Sequence, residues 1–293
     1  MGRNNYEISS GDDEPPRIDT YDYSFFSPEE NPEGELLARQ IQAQSYVAMG
    51  IVRPEGLITL ENGVQILAPD AANPPGYPSA RSNTYIEYAL GIERHSTDMD
   101  PMTGHLVAWK KLYAPLDSLP TYQLCRSALT AAGEEYLRKI DTSLDYTLVE
   151  TEALGKTIRA GSGVVKEFIR AEIQRSLGRK EVWLMGLVSK TAYKSFVHNW
   201  GKEAIRKIGE PCRLDHAYVV DDVELVPTVL DIDAFFSNMA YDILSSDSRD
   251  SQRRLANFVY MAEGVGSDIL GLDLAEFRSR ARRSISEGGT GSL

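Results

Sequence analysis

The sequence contains little cysteine and little histidine, and this scarcity excludes several classes of site. Cys125 and Cys212 are the two cysteines among 293 residues, and they form no CxxC pair. A disulfide framework is therefore excluded, and a thiol-reducing cytoplasm is the expected location. The four histidines show no HExxH or HxH spacing, and a polar turn explains His95, Asp98 and Asp100 better than a metal site does. We therefore expect no metal.

The sequence is also short of basic charge and of long apolar runs. Lys and Arg number 31 against 43 Asp and Glu, which gives a net charge of −12. Binding to nucleic acid or to an anionic membrane surface needs an excess of Lys and Arg, so neither is expected as a partner. No stretch approaches the ~18 consecutive apolar residues of a membrane-spanning helix. The acidic N-terminus lacks the apolar segment of a secretory signal.

The composition that is present is typical of a globular protein, with 42% hydrophobic and 25% charged residues. Residues 1–16 are polar, acidic and end in two prolines, so we expect a disordered acidic tail. Residues 17–232 are interpreted as one main domain. Residues 233–285 have a helical pattern and are expected to form a C-terminal extension, which serves oligomerisation, caps a substrate tunnel or packs on the main domain. Residues 286–293 are expected to be a flexible tail.

Hydrophobic periodicity predicts an alternation of strands and helices within the main domain. The strands are predicted at 18–26, 64–67, 84–94, 105–115, 145–155, 181–189, 204–210 and 217–232. The helices are predicted at 34–50, 121–140, 163–179 and 190–201. A turn at 100–104 predicts a hairpin between the third and fourth strands. The loop 68–82 is rich in Pro, Ala and Gly and is long enough to be either functional or mobile.

A glycine-containing turn, Arg159-Ala160-Gly161-Ser162-Gly163, lies between a predicted strand and the most clearly amphipathic helix. Main-chain N–H groups at the start of a helix attract anions, and glycine lets a pyrophosphate approach the backbone. The alternative is a tight turn that binds nothing. In spacing and context this turn resembles the Gln/Arg-x-x-Gly-x-Gly/Ala turn of the GNAT acyltransferase superfamily. Gly161 and Gly163 match its last two fixed positions, whereas Ile158 stands where the family has Gln or Arg.

The order of the predicted elements resembles the same superfamily, and so does the segment from Phe196 to Gly201. Its spacing is similar to the family's Phe-Tyr-x-x-x-Gly segment. Val197 occupies the position of the tyrosine that often protonates the departing thiolate, and valine cannot donate a proton. If the chain is an acyltransferase, that proton comes from water or from another group. His198 is more simply interpreted as a surface residue of this helix.

The resemblance covers residues 17–232 and is nearest to the branch of acyl-homoserine-lactone synthases and N-acyl amino acid synthases. The stretch from Val149 to Leu154 is loosely similar to a Glu-x-x-x-Leu stretch of that branch, with Ala153 in place of its usual arginine. The resemblance implies an α+β fold of GNAT type, with a mixed, mostly antiparallel central sheet flanked by helices. It also implies an acyl-CoA or acyl-phosphopantetheine co-substrate and, in this branch, an acyl carrier protein as a partner.

The resemblance implies where such a co-substrate binds. The turn and the start of the following helix would hold the pyrophosphate, and these residues are Arg159, Ala160, Gly161, Ser162, Gly163 and Val164. Ser195 and Asn199 lie one helical turn apart and could contact the pantetheine arm; the alternative is that they form a solvated helix face. A main-chain amide of the strand at 145–155 would stabilise the oxyanion, as in the family.

Two glutamates on that strand are the candidate proton acceptors. Glu150 and Glu152 alternate with apolar neighbours, so both are expected on one face of the strand. A carboxylate there could take the proton of an attacking amine, directly or through water. The alternative for each is a solvated strand residue or an ion-pair partner.

These inferences favour an N-acyltransferase that moves an acyl group from acyl-CoA or acyl carrier protein to a small-molecule amine in the cytoplasm. No Ser–His or Cys–His pairing supports a covalent acyl-enzyme. A catalytically inactive binding or assembly module of the same fold is the alternative, because it accounts for the departures at Ile158, Ala153 and Val197. The sequence leaves open the amine, the acyl chain length and whether the chain forms homo-oligomers.

Overall fold

The fold described below comes from a computed structural model. It describes residues 21–48, 50–68, 85–94, 96–101, 103–160, 162–177, 179–200, 204–213, 224–232 and 235. The predicted tails and nearly all of the predicted C-terminal extension lie outside these residues, as does most of the loop 68–82. The division of the chain into domains therefore stays a prediction.

The described residues form a seven-stranded sheet and a separate two-stranded hairpin. The sheet strands are β1 (Tyr21–Phe26), β4 (Tyr85–Glu93), β5 (Leu106–Tyr113), β6 (Thr147–Lys156), β7 (Glu181–Ser189), β8 (Ile205–Lys207) and β9 (Leu225–Asp231). Their order across the sheet is β1-β4-β5-β6-β7-β9-β8. Strands β6 and β7 are parallel, and every other neighbouring pair is antiparallel. The hairpin consists of β2 (Leu57–Thr59) and β3 (Gln65–Leu67).

In the part of the chain that the structure describes, five α-helices cover the two faces of the sheet. They are α1 (Pro32–Ala48), α2 (Pro120–Cys125), α3 (Ala131–Asp141), α4 (Ser162–Leu177) and α5 (Lys190–Trp200). Helices α1, α2 and α3 pack on one face of strands β4 to β7, and α1 also packs on the hairpin strand β3. Helices α4 and α5 pack on the other face. The parallel strands β6 and β7 are joined through α4, as a parallel connection requires.

Local sequence sets the ends of the first helix. The side-chain oxygen of Asn31 accepts a hydrogen bond of 2.9 Å from the amide of Gly34, which caps the helix. Pro32 occupies the first helical position, where a missing N–H does no harm. After the helix, Gly50 has a φ of 68°, a left-handed conformation that glycine adopts without strain.

The predicted fold class is confirmed: the protein is a mixed α+β structure with a mostly antiparallel central sheet flanked by helices. The order of its elements is the one on which the GNAT resemblance was based. The strand predicted at 181–189 has those bounds, and the hairpin of β4 and β5 is present. Phe168, Ile169 and Ile173 of α4 are buried, as their helical spacing predicted.

The prediction of one continuous helix at 121–140 was wrong. The segment is broken into α2, a 3₁₀ turn at Arg126–Ala128, and α3. Leu129 forms a β-bridge with Gly209, and the hydroxyl of Thr130 caps α3 by accepting a hydrogen bond of 3.1 Å from Gly133. Apolar periodicity runs through this break because both helices pack on the same face of the sheet. The three-residue strand β2 was also missed.

Candidate functional site

The two parallel strands at the centre of the sheet pair at one end and separate at the other. Their register runs from Thr147–Glu181 to Glu150–Leu184 and ends there, although β6 continues to Lys156 and β7 to Ser189. At the point of separation the hydroxyl of Thr151 donates to the carbonyl of Leu184 at 3.4 Å. We call the region in which the two strands have separated, residues 151–156 and 185–189, the fork.

Each strand of the fork carries an irregularity just beyond the last pair. Lys110 pairs with Glu152 and Ala108 with Gly155, so β6 has one more residue than β5 over this stretch. The register between β7 and β9 shifts in the same way between Leu184 and Leu187. Such bulges re-aim main-chain groups and end regular pairing, and they are frequent next to active sites. The bulges therefore release main-chain groups from the ladders at the fork.

Hydrogen bonds fix the turn that leads from β6 into α4. The hydroxyl of Thr157 accepts from the amide of Leu106 at 3.1 Å and donates to the carbonyl of Gly104 at 2.8 Å. The amide of Ala160 closes the turn by donating to the Thr157 carbonyl at 3.2 Å. The ammonium of Lys156 donates to the carbonyl of Ala160 at 2.5 Å. Both the start of the turn and its last carbonyl are therefore fixed.

The outer side of this turn faces solvent. Ile158 is 74% exposed, and Arg159 is exposed as well. Thr103 and the amide of Asp100 hydrogen-bond to Asp98 and lower the pKa of that carboxyl below its ordinary value, and the charge of Arg159 contributes further. The turn at 98–104 thus lies beside the turn before α4, where the negative charge of Asp98 is close to the positive charge of Arg159.

The structure places the residues predicted to bind the co-substrate in two regions: the turn before α4 with the first turn of that helix, and the second half of α5. Ala160 is buried in the turn, and α4 begins at Ser162 directly after it. Gly161 lies outside the described residues, and the side chains of Ser162, Val164, Ser195 and Asn199 also lie outside them. Gly163 belongs to the first turn of α4, and Ser195 and Asn199 lie on α5, which follows β7. Binding by these residues stays a prediction.

Glu150 differs from its predicted surroundings. It is fully buried, and its carboxylate points to the first turn of α2 rather than to solvent. It accepts from the amide of Thr121 at 3.0 and 3.1 Å and from the Thr121 hydroxyl at 2.6 Å. It is therefore not a solvated strand residue. A carboxylate held in this way is suited to anchoring α2 at the end of the β6–β7 pairing.

The backbone register gives the position of Glu152, the second candidate proton acceptor. It pairs with Lys110 at the edge of the bulge, two positions beyond the last pair with β7, and so it belongs to the fork. Its side chain lies outside the described residues. Sequence reasoning treated Glu150 and Glu152 alike, because both alternate with apolar neighbours. The register between β6 and β7 distinguishes them: Glu150 is still paired with β7, whereas Glu152 lies in the fork.

The helix after β7 carries Val197 and His198. Val197 packs with Phe196 against the buried cluster of the α4–α5 face. His198 is exposed, as expected of a surface residue. Sequence reasoning missed Thr121, whose partner lies 29 residues away. Pro120 is a local signal for the start of α2, but no local pattern names the distant carboxylate.

Among the residues that the structure describes, no group of three or more His, Cys, Asp or Glu side chains could hold a metal ion. None of the helices described is both long and apolar enough to cross a membrane.

Comparison with known proteins gave one similarity of overall structure. No protein-family model matches the chain, and no curated protein sequence matches it. The chain is similar in structure to FeeM, described as an N-acyl amino acid synthase from uncultured soil microbes, with a TM-score of 0.42 and 10% sequence identity. The superposition covers 74% of this chain and 93% of that one. The fold assignment rests on the strand order given above.

Proposed function

We propose that this protein is an N-acyltransferase that moves an acyl group from a thioester carrier to the amine of a small molecule. One observation carries the proposal. The parallel strands β6 and β7 separate after Glu150 and Leu184, and the longer strand leads through a fixed turn directly into α4. The fork and the helix start are adjacent along the chain, so one elongated ligand could contact both.

The fork supplies main-chain groups suited to a pantetheine arm. Unpaired N–H and C=O groups at a strand edge accept an extended ligand much as they accept another strand. Phosphopantetheine is extended and carries two amides, so it can pair in this way with residues 151–156. The acyl thioester at its end would then lie in the fork, close to the bulge of β6.

The start of α4 supplies the means of holding the phosphates. Successive amides at a helix N-terminus and the helix dipole favour a pyrophosphate. A chain with a net charge of −12 gives an anionic carrier little general attraction, so a local device is required. In this proposal the device is the segment from Arg159 to Val164, including Gly161 and Gly163. Both acyl-CoA and acyl carrier protein present a phosphate at this distance from the thioester.

The reaction that fits this arrangement is direct aminolysis. The amine nitrogen attacks the thioester carbonyl carbon, a tetrahedral oxyanion forms, and the C–S bond breaks to release the thiol. A main-chain amide at the bulge of β6 stabilises the oxyanion. Glu152 accepts the proton that the amine loses, directly or through water. Water protonates the departing thiolate, because Val197 cannot.

The side chains of α5 complete the carrier site in this proposal. Ser195 and Asn199 lie one turn apart on the helix that follows β7 and contact the pantetheine arm. Glu150 is assigned a positioning role, since its carboxylate is bonded to Thr121. A non-catalytic binding or assembly module is the second candidate. The specific observation in its favour is Ile158, an apolar side chain that is 74% exposed beside the turn.

Thermal shift with CoA, acyl-CoA and holo acyl carrier protein tests carrier binding. A ligand that binds the folded state must raise the melting temperature. Replacing Gly161 and Gly163 by Val should abolish the shift, since a β-branched side chain blocks close approach to the backbone. The matched control is Ala131→Val, which introduces the same side chain at an exposed position in the first turn of α3. If none of the three carriers shifts the wild-type protein, the proposal is overturned.

Release of free thiol separates the two candidate functions. With a bound acyl donor and a panel of small amines, an N-acyltransferase produces thiol and amide in equal amounts. A binding module shows the thermal shift but releases no thiol above the rate without protein. Using acyl-CoA and acyl carrier protein in parallel identifies which carrier is the donor.

A further inference from the structure

A group of charged and polar side chains is enclosed between α4 and the central sheet. It consists of Lys111 on β5, Glu172 and Ser176 on α4, and Glu181 and Trp183 on β7, and we call it the Lys111 cluster. Lys111, Glu172 and Glu181 are each 1% exposed, and Ser176 and Trp183 are fully buried. Charged residues are rarely buried to this degree unless they are paired.

The ammonium of Lys111 is enclosed by this cluster. It donates hydrogen bonds to Glu181 at 2.9 Å and to the hydroxyl of Ser176 at 3.2 Å. Its Nζ also lies 2.6 Å from a carboxylate oxygen of Glu172, which makes a close ion pair, although this oxygen accepts no hydrogen bond of regular geometry from the described residues. The same nitrogen lies 4.7 Å from the ring centroid of Trp183, a distance suited to a cation–π contact.

Glu181 is bonded through both of its carboxylate oxygens. One oxygen accepts from Ser176 at 2.7 Å and from the indole of Trp183 at 3.0 Å, in addition to Lys111. The other oxygen accepts from the hydroxyl of Tyr113 at 2.9 Å. The cluster therefore joins side chains of β5, β7 and α4 with short bonds of defined direction.

A second set of contacts extends the cluster towards solvent and adds strand β4. Glu87, which is 5% exposed, forms a two-bond pair with Arg175 on α4 at 2.6 and 2.5 Å. Arg179 lies 3.5 Å from Glu87 and 3.6 Å from Glu181. The charges of the whole set balance at three positive and three negative, from Lys111, Arg175 and Arg179 against Glu87, Glu172 and Glu181.

The Lys111 cluster is better explained by a role in positioning α4 on the sheet than by a contribution to the stability of the fold. A buried ion pair is weak evidence for stability, because apolar side chains of similar volume often stabilise as well or better. Charge-assisted hydrogen bonds are directional, however, and those that join Ser176 of α4 to Lys111 and Glu181 favour one arrangement of the helix on the sheet. An apolar contact alone leaves a helix freer to rotate or to slide along the sheet.

We propose that Lys111, Glu172 and Glu181 are positioning residues that fix α4 against the fork. Helix α4 is continuous from Ser162 to Leu177, so fixing Glu172 also fixes the first turn of the helix, about 15 Å away along the axis. The same bonds hold β7, one of the two strands of the fork. The cluster therefore sets the distance between the helix start and the fork. Its relevance to the carrier rests on the proposed function, whereas its effect on α4 does not.

Hydrogen exchange at the start of α4 tests this proposal. The double variant Lys111→Met/Glu172→Gln removes one buried charge of each sign, and Ser176→Ala is a milder change that keeps every charge. We expect amide exchange in the peptide covering residues 162–170 to be at least tenfold faster in the double variant and faster to a smaller degree in Ser176→Ala. Exchange at the wild-type rate in the folded double variant would overturn the proposal.

The control separates positioning from general loss of stability. Leu137→Ala removes a fully buried side chain of α3 on the opposite face of the sheet. It should lower the melting temperature without accelerating exchange in residues 162–170. Titration with CoA adds a second measurement: the double variant should bind CoA at least tenfold more weakly, and Leu137→Ala should bind it like the wild type.

The outcomes for the two proposals are distinct. If the wild type does not bind CoA or carrier protein, the proposed function fails, and the exchange data still decide whether the cluster fixes α4. If the wild type binds CoA and the folded double variant binds it equally well, the positioning proposal fails while the proposed function stands. Weaker binding in both the double variant and Leu137→Ala would assign the effect to stability and would also overturn positioning.

Discussion

The carboxylate of Glu150 holds Thr121 by its amide and its hydroxyl, with a shortest contact of 2.6 Å to the hydroxyl. This bond joins the last residue of β6 that pairs with β7 to the first turn of α2, across 29 positions of the chain. Because both residues are buried, the carboxylate is an anchor at the apex of the fork. The helices between β5 and β6 are therefore tied to the place where the strands separate.

Replacing Glu150 should affect stability more than chemistry. Glu150→Ala leaves the amide and hydroxyl of Thr121 buried without their acceptor, and each unsatisfied group costs about 1–3 kcal/mol. We expect a loss of about 3 kcal/mol in the free energy of unfolding, measured by urea denaturation. Thr121→Val, which removes the hydroxyl but keeps the amide, should cost less. A loss of turnover in Glu150→Gln at unchanged stability would instead identify Glu150 as a catalytic residue.

Replacing Glu152 should affect catalysis more than stability. If Glu152 accepts the amine proton, Glu152→Gln lowers kcat by about 10²-fold or more, because general base catalysis contributes about that factor. The melting temperature should change little, and the acidic limb of the kcat profile against pH should disappear. Glu150→Gln, assayed at a temperature at which it is folded, should keep that limb. Normal turnover in Glu152→Gln would remove the glutamate from the mechanism.

Removing Lys111 alone should be strongly destabilising. Lys111→Met leaves Glu172 and Glu181 buried without the ammonium between them, and breaking a buried pair in this way costs about 3–5 kcal/mol. The double variant Lys111→Met/Glu172→Gln should recover a part of that loss, because it removes a carboxylate together with the ammonium. Urea denaturation at pH 7 measures both. Equal stability of the single variant and the wild type would mean that the charges are not buried as described.

The two glutamates of this cluster should respond to pH in opposite directions. Burial raises the pKa of Glu172, and Lys111 offsets only part of that rise. Burial acts on Glu181 too, but Lys111, Ser176 and Trp183 outweigh it, so the pKa of Glu181 lies below its ordinary value. The contribution of Glu181 to stability is complete above the ordinary carboxyl pKa of 4.5 and is lost as pH falls further.

The contribution of Glu172 is complete below that value and is lost as pH rises through its higher folded pKa. Glu172→Gln removes this loss. Its stability relative to the wild type should therefore increase as pH rises from 4.5 towards neutrality, which urea denaturation at several pH values can measure. A relative stability that falls over this range would contradict the direction given for Glu172.

Gly133→Ala should destabilise the protein although alanine favours helices. A Cβ atom at Gly133 would lie 2.0 Å from the carbonyl oxygen of Ile208, so α3 or the segment at 208–210 must move. We expect a net loss of about 1–3 kcal/mol, as for other overpacked sites. Ala132→Gly, at an exposed neighbouring position, should lose about 1 kcal/mol by helix propensity alone. Stabilisation by Gly133→Ala would show that this approach is looser than described.

The two thiols should differ in reactivity. Burial raises the pKa of Cys125 to about 12, and its side chain is fully buried. Cys212 is partly exposed, although burial also raises the pKa of its thiol. With an aromatic disulfide reagent at pH 8, Cys212 should be labelled in the native protein, and Cys125 only after unfolding. Peptide mass analysis identifies the labelled residue, and Cys212→Ser should abolish native labelling.

Regular periodicity was the most reliable signal in the sequence. The apolar run at 181–189 predicted β7 with its bounds, and the helical spacing of Phe168, Ile169 and Ile173 predicted the buried face of α4. The break at Leu129 and Thr130 was missed because a bridge to Gly209, far along the chain, ends the helix there. Periodicity reports which face is buried, and it does not report where a distant strand interrupts the helix.

The candidate site was predictable in part and for the same reason. The turn before α4 and the alternation at Glu150 and Glu152 are local patterns, and the sequence displays both. The partner of Glu150 is not local, and neither are the three partners of Lys111. A lysine within the apolar strand β5 signals an unusual environment, but the strand itself does not name the carboxylates that meet it.

The sequence by itself determined the acidic charge, the scarcity of cysteine and histidine, and most of the order of strands and helices, because each depends on composition or on short-range periodicity. Only the tertiary structure decided that β6 and β7 separate after Glu150, that Glu150 is an anchor, and that Lys111 is enclosed by two carboxylates. These features depend on which strands become neighbours and in what register. That choice is made by packing across the whole chain, where the burial of a charge must be matched by partners from distant elements.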